Sequence, residues 1–154
     1  MIAKTEIADQ NQFFIAGISV RTTNKNGQSA KDIGELWTRF MDENLVEQIT
    51  DRLSDDTYCA YFDYETDDRG PYTAIFGCKV ESLGKIPVGF TGAAIPAGTY
   101  KIYYLSGEFP ATIGEGWKEI WASDVKRKFT ADYDFYEANP KSFEETEARI
   151  YVGI

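Results

Sequence analysis

Carboxylates set among aromatic rings are the part of this sequence with the most chemistry in it. Tyr133-Asp134-Phe135-Tyr136-Glu137 mixes rings with acids, and Tyr61-Phe62-Asp63-Tyr64-Glu65 does the same with its middle residues exchanged. A carboxylate among rings is partly desolvated, which raises the cost of its charge and strengthens its attraction for a cation. Tyr and Trp faces add cation–π attraction worth roughly 0.5–2 kcal/mol each. Strand alternation sets Tyr133, Phe135 and Glu137 on one face, with Tyr61, Asp63 and Glu65 at the matching earlier positions. By alternation alone Glu137 reads as a solvated strand glutamate near a hairpin end. Glu65, beside a plain acidic turn, reads the same way.

Composition narrows the chemistry further. The chain of 154 residues has no histidine, which removes Ser-His-Asp and Cys-His triads and the commonest transition-metal ligand. Cys59 and Cys78 lack CxxC spacing, so no metal site and no cofactor are expected. The formal charge of −9 argues against a nucleic-acid surface, suits encounter with cations, and serves solubility equally well. Ten Tyr, ten Phe and three Trp furnish a wet binding cleft as readily as a core. The N-terminus has no apolar signal core, and no run is long enough to span a bilayer. The expectation is a cytoplasmic protein with reduced thiols and no membrane contact.

The elements that must position these residues follow from periodicity. Phe13 to Val20 is an apolar, β-branched run and reads as a strand. From Ser29 the spacing turns helical, with Ile33, Leu36, Trp37, Phe40 and Met41 on one stripe and Ser29 with Asp32 as a capping box. Thr57 to Glu65 and Tyr72 to Val80 form a hairpin; a turn centred on Asp68-Arg69 sets Cys59 opposite Cys78. Residues 81–98, rich in Gly and Pro, read as a connection. Then Thr99 to Leu105 is a strand, and Ile113, Trp117, Ile120 and Trp121 mark a second helix, with Thr112 and Glu115 as its capping box. Tyr133 to Ala138 and Ala148 to Ile154 close with another hairpin.

The halves also match in sequence: Ile33-Gly34-Glu35-Leu36-Trp37 recurs as Ile113-Gly114-Glu115-Gly116-Trp117. The chain therefore reads as a single α+β domain over 1–154, a tandem β-α-β-β repeat with half-repeats at about 8–82 and 96–154. Two such units side by side give a curved six-stranded antiparallel sheet crossed by two helices. A central groove then lies on a pseudo-twofold axis, and Trp37, Trp117 and Trp121 point to it from the helices.

With its AGISVRTT strand, IGELWTRF helix, IPAGTYKIYYLSGEF segment, IGEGWKEIW helix and DYDFYEA…EARIYVGI ending, the sequence resembles the GyrI-like superfamily over nearly its whole length. These are effector-binding domains of AraC-type and MerR-type multidrug regulators, also found free-standing and on mobile gene cassettes. The first strand begins within about a dozen residues, too soon for a helix-turn-helix module, so the resemblance is to the free-standing members. It implies non-catalytic binding of bulky, aromatic, often cationic small molecules. It further implies that a glutamate following an aromatic on the penultimate strand, here Glu137, anchors the cation, and that Tyr104 rather than Tyr103 faces inward. The expected site is Glu137 with Trp37, Tyr61, Tyr104, Trp117, Trp121, Tyr133 and Phe135. A separate regulator or another protein would be the downstream partner. Two other functions fit the resemblance: a small-molecule hydrolase with the groove glutamate as base, and an acidic inhibitor of a DNA enzyme.

Overall fold

The computed structural model describes residues 2–108, 111–138 and 147–154. Eight strands and two helices follow in the order β1 (Ile2–Gln10), β2 (Phe13–Thr22), α1 (Gln28–Asp42), β3 (Arg52–Phe62), β4 (Tyr72–Val80), β5 (Thr91–Ile95), β6 (Gly98–Leu105), α2 (Ala111–Ala122), β7 (Ala131–Tyr136) and β8 (Ala148–Gly153). The strands form one antiparallel sheet in the order β1-β6-β8-β7-β3-β4-β2-β5. The fold is α+β, with eight strands where periodicity suggested six. The two additional strands are the edges. β1 is largely polar and pairs only with β6, while β5 is a five-residue strand inside the Gly- and Pro-rich connection. Edge pairing is carried by backbone hydrogen bonds, so neither strand needs an apolar stripe.

Two short links fix the curvature. β1 and β2 lie near opposite ends of the strand order, yet only Asn11 and Gln12 join them. Three Cα–Cα steps span at most about 11 Å, so the sheet must curl until its ends approach. The curl encloses an inner aromatic core that includes Phe13, Tyr100, Tyr133, Phe135 and Tyr151. Tyr133 and Tyr151 stack within it, with centroids 4.3 Å apart. On the outer face the helices cover a second core, to which α1 contributes Leu36 and Phe40 and α2 contributes Ile113, Trp117 and Ile120. Among the described residues, no helix is long and apolar enough to cross a membrane.

Neither helix starts as the capping boxes suggested. α1 begins at Gln28, after Gly27 in the left-handed conformation. Asp32 accepts hydrogen bonds from Thr22 Oγ1 at 2.8 Å and Gln28 Nε2 at 3.2 Å, tying the helix start to β2. Thr112 lies inside α2, and its hydroxyl donates to the Ser106 carbonyl at 3.1 Å. In the β3–β4 hairpin Cys59 pairs with Phe76 and Cys78 with Thr57, so the cysteines are diagonal rather than opposite. The turn centres one residue earlier than the Asp68-Arg69 reading, and each residue's partner moves by two. Both thiols are free and buried.

Within the β2–β4 ladder, Gly17 pairs with Gly77. A Cβ at Gly17 would collide with the Phe76 carbonyl, and one at Gly77 with the Ala16 carbonyl. The strands can approach this closely only because both positions lack a side chain.

Candidate functional site

β7 (ADYDFY) is buried on both faces. Its alternation turns Tyr133 and Phe135 into the inner core, so Asp132, Asp134 and Tyr136 face the helices. This is the opposite phase from the one expected for the groove. With aromatic residues on both faces, the strand's hydrophobic pattern does not reveal which face meets the helices.

Asp134 is 0 % exposed. Its Oδ1 accepts the Trp117 indole N–H at 2.8 Å; its Oδ2 accepts the hydroxyls of Tyr61 at 2.5 Å and Tyr136 at 3.0 Å. Each donor comes from a different element: α2, β3, and β7 itself. Tyr61 reaches Asp134 because the β3–β7 ladder sets Cys59 opposite Asp134, leaving Tyr61 on the near diagonal. Desolvation pushes the Asp134 carboxyl up to about 6; the three donors pull the other way, and the charge of Asp132 adds to the rise.

Asp132, also 0 % exposed, forms a second buried centre. It accepts from the Tyr64 hydroxyl at 2.5 Å, Arg127 Nη2 at 2.7 Å and the Gly153 amide at 2.9 Å. Arg127 also reaches Asp68 at 3.1 Å. The Tyr64 hydroxyl is held well above its ordinary pKa by burial, and the Asp132 charge adds to this. Tyr64 therefore stays a neutral donor.

A cavity of about 390 Å³ opens between the start of α1 and α2, walled by the hydrogen-bond partners of these two acids. Tyr61, Tyr64, Tyr72, Trp117 and Trp121 wall it, and Arg127 closes one side. Tyr61 meets Trp117 edge to face at 5.6 Å, and Trp117 leans on Trp121 at 6.2 Å. Tyr72 is fixed by its hydroxyl, which donates to Asn24 Oδ1 at 2.6 Å. Trp121 is 51 % exposed, an aromatic face open to a ligand without rearrangement of the core. Among the described residues no cluster of His, Cys, Asp or Glu could hold a metal ion.

Of the residues expected in the site, the structure brings Tyr61, Trp117 and Trp121 to this cavity. It does not bring the others. Trp37 packs on Phe76 and Tyr136 beneath α1. Tyr133 and Phe135 belong to the inner core. Tyr104 turns to that same side and donates to Glu6, while its neighbour Tyr103 faces the helices. Glu137 lies just past the end of β7, exposed, with its Oε2 accepting the Glu147 amide at 3.2 Å. Sequence reasoning missed Asp132, Asp134, Tyr64, Tyr72 and Arg127. One signal was available: two aspartates interleaved with rings in a short strand imply buried acids, since β-propensity and burial both disfavour Asp there.

A curled sheet, two helices on one face and an aromatic cavity between them over buried acid define an effector-binding domain of the GyrI-like fold. More narrowly, the integron-associated effector-binding proteins (Cass2) match residues 6–154, and the chain belongs to that family. The integron cassette protein VCH_CASS2 from the mobile metagenome of Vibrio cholerae is 26 % identical, with a TM-score of 0.77 over 99 % of this chain and 96 % of that one. The same fold recurs in SAV2435 bound to tetraphenylphosphonium (13 % identity, TM-score 0.78, 97 % and 93 % covered). It recurs also in a putative transcription regulation protein of Staphylococcus aureus MU50 (11 % identity, TM-score 0.79, 97 % of each chain). No curated protein sequence matches the chain.

Proposed function

We propose that this protein binds bulky aromatic, preferentially cationic small molecules between α1 and α2, without turning them over, and that Asp134 is the electrostatic anchor. The observation that carries the reading is a fully buried carboxylate beneath an open aromatic cavity, with Trp117 serving both as its donor and as the cavity wall. Burial makes that charge costly, and a cation in the cavity lowers the cost, so the empty site favours positive ligands. Flat ring surfaces with few directional contacts select by size and flatness, which suits several ligands rather than one.

The role implied for an acid after an aromatic on the penultimate strand passes from Glu137 to Asp134, which follows Tyr133 on β7. We read β2-α1-β3-β4 and β6-α2-β7-β8 as two related units meeting at the β3–β7 seam, with the cavity between their helices. The tetraphenylphosphonium bound by SAV2435 supports a lipophilic cation as ligand class. Geometry favours binding over turnover: a general base needs a water within reach, and Asp134 is sealed from solvent with three donors already on its oxygens. Sequestration in the cytoplasm, with or without a separate regulator as partner, is the least demanding use.

The test is intrinsic Trp fluorescence titrated with matched cationic, neutral and anionic aromatic compounds. Trp117 and Trp121 line the cavity and report directly. Saturable quenching strongest for cations is the expected result; equal response across the three charge classes contradicts the reading.

A further inference from the structure

We infer that Arg127 is a resident cation that restricts the cavity to ligands with a single positive charge, an inference that rests on the cation-binding reading above. Arg127 sits in the link between α2 and β7, on the cavity wall, with its side chain only 7 % exposed. Its terminal nitrogens are held by acids from two separate segments, Nη1 by Asp68 of the β3–β4 turn at 3.1 Å and Nη2 by Asp132 of β7 at 2.7 Å. Its guanidinium lies over the Phe129 ring at 4.5 Å and over Trp117 at 5.4 Å. Aromatic faces around a cation, with a desolvated carboxylate (Asp132) and a half-buried one (Asp68) beside it, are what a cationic ligand requires. Here a side chain of the protein already fills that arrangement.

The link is built to hold it there. Phe129 has a φ of +57°, a left-handed conformation that is costly for a bulky residue and persists only where the surroundings impose it. The preceding amide, of Lys128, donates to the Gly153 carbonyl at 2.9 Å and pins the link to β8. The strained turn and the pinned backbone together keep the Phe129 ring against the guanidinium.

The charges then set the ligand. The acid Asp68 and the cations Arg127 and Lys118 line the cavity, and Asp132 and Asp134 bond directly to its wall. With all five ionised, these groups together carry one net negative charge. A ligand with one positive charge neutralises it. A second positive charge would meet the guanidinium with its counter-ions already committed, in surroundings that screen poorly. Without Arg127, Asp132 would become a second anchor.

The test uses three biaryls of nearly equal size and different charge, with affinities read by calorimetry: N-methyl-4-phenylpyridinium (one charge), methyl viologen (two) and neutral 4-phenylpyridine. In the wild type the monocation is expected to bind at least roughly tenfold more tightly than the dication. Arg127→Met is expected to reverse that order, and Arg127→Met with Asp132→Asn to restore it. Should Arg127→Met fail to fold around an unpaired Asp132, Asp132→Asn alone decides the question. It leaves the guanidinium with one acid fewer and is expected to weaken the monocation about tenfold while sparing the neutral compound. Equal binding of monocation and dication by the wild type overturns the inference. So does a folded Arg127→Met with unchanged preference, or an Asp132→Asn that weakens monocation and neutral compound alike. If instead the wild type prefers no cation over the neutral biaryl, the cation-binding reading itself fails, a distinguishable result.

Discussion

Trp117 donates its indole N–H to Asp134 across 2.8 Å, so one residue both walls the cavity and holds the charge beneath it. Ligand contact and carboxylate stability are therefore linked through one side chain. Trp117→Phe separates them, because it keeps a ring in the wall and removes the donor. The variant should lose about 1–3 kcal/mol of stability near neutral pH, the cost of a buried acceptor short of a partner. The Asp134 carboxyl should rise further above about 6. Denaturant unfolding checks the first, and titration of the carboxyl followed by NMR checks the second.

Asp134 also sets a pH dependence of stability whose sign is opposite to that of most carboxylates. Its native pKa of about 6 lies above the ordinary aspartate value of 3.8, so the folded state holds the proton more tightly. The protonated group's advantage is fully present below the unfolded value and is lost as pH rises through about 6. The loss amounts to about 3 kcal/mol, an order-of-magnitude figure. Asp134→Asn has no such proton. The stability of the variant relative to wild type should therefore climb between acid and neutral pH. A difference that is flat with pH contradicts the assignment.

Ligand affinity should follow the same group. A cation attracts Asp134 only when it is ionised, so affinity should fall as pH drops through about 6. A neutral aromatic of the same shape should show no such fall. Calorimetry in buffers of different ionisation enthalpy should also detect protons released when a cation binds near that pH.

The Gly17–Gly77 pair of the β2–β4 ladder yields a prediction about the scaffold. Gly17→Ala and Gly77→Ala each place a methyl group against a carbonyl oxygen of the facing strand. Each should cost at least about 2 kcal/mol, since backbone must move to relieve the contact. Gly114, where a Cβ meets nothing within 4 Å, is the control, and its replacement by Ala should be neutral or stabilising. Thermal unfolding distinguishes the three.

The helices and inner strands were legible in the sequence because they bury faces. Leu36 and Phe40 on α1, and Ile113, Trp117 and Ile120 on α2, fall at the expected spacing and in the expected core. The edges were not, because β1 and β5 are held by backbone pairing that leaves little trace in side-chain pattern. Part of the cavity wall was visible for a similar reason: Tyr61 is a large ring on the strand face toward the helices, and Trp117 and Trp121 are large rings on α2 itself. The proposed anchor, Asp134, was obscured by phase. On β7 the alternation separates Tyr133 and Phe135 from Asp132 and Asp134, but both faces are buried and both carry a ring, so the pattern does not say which set meets the helices. Arg127 lies in a link with no periodicity at all, and only the fold brings it to Asp132 and Asp68.

The most direct test of the central claim is the affinity for tetraphenylphosphonium near neutral pH in the wild type, Asp134→Asn and Glu137→Gln. With Asp134 as anchor, the asparagine variant should bind at least roughly tenfold more weakly, about 1.4 kcal/mol. Glu137→Gln should match the wild type, because Glu137 is exposed and engaged with the Glu147 amide. Undiminished binding by a folded Asp134→Asn would contradict the account, and a loss confined to Glu137→Gln would move the anchor to the end of β7.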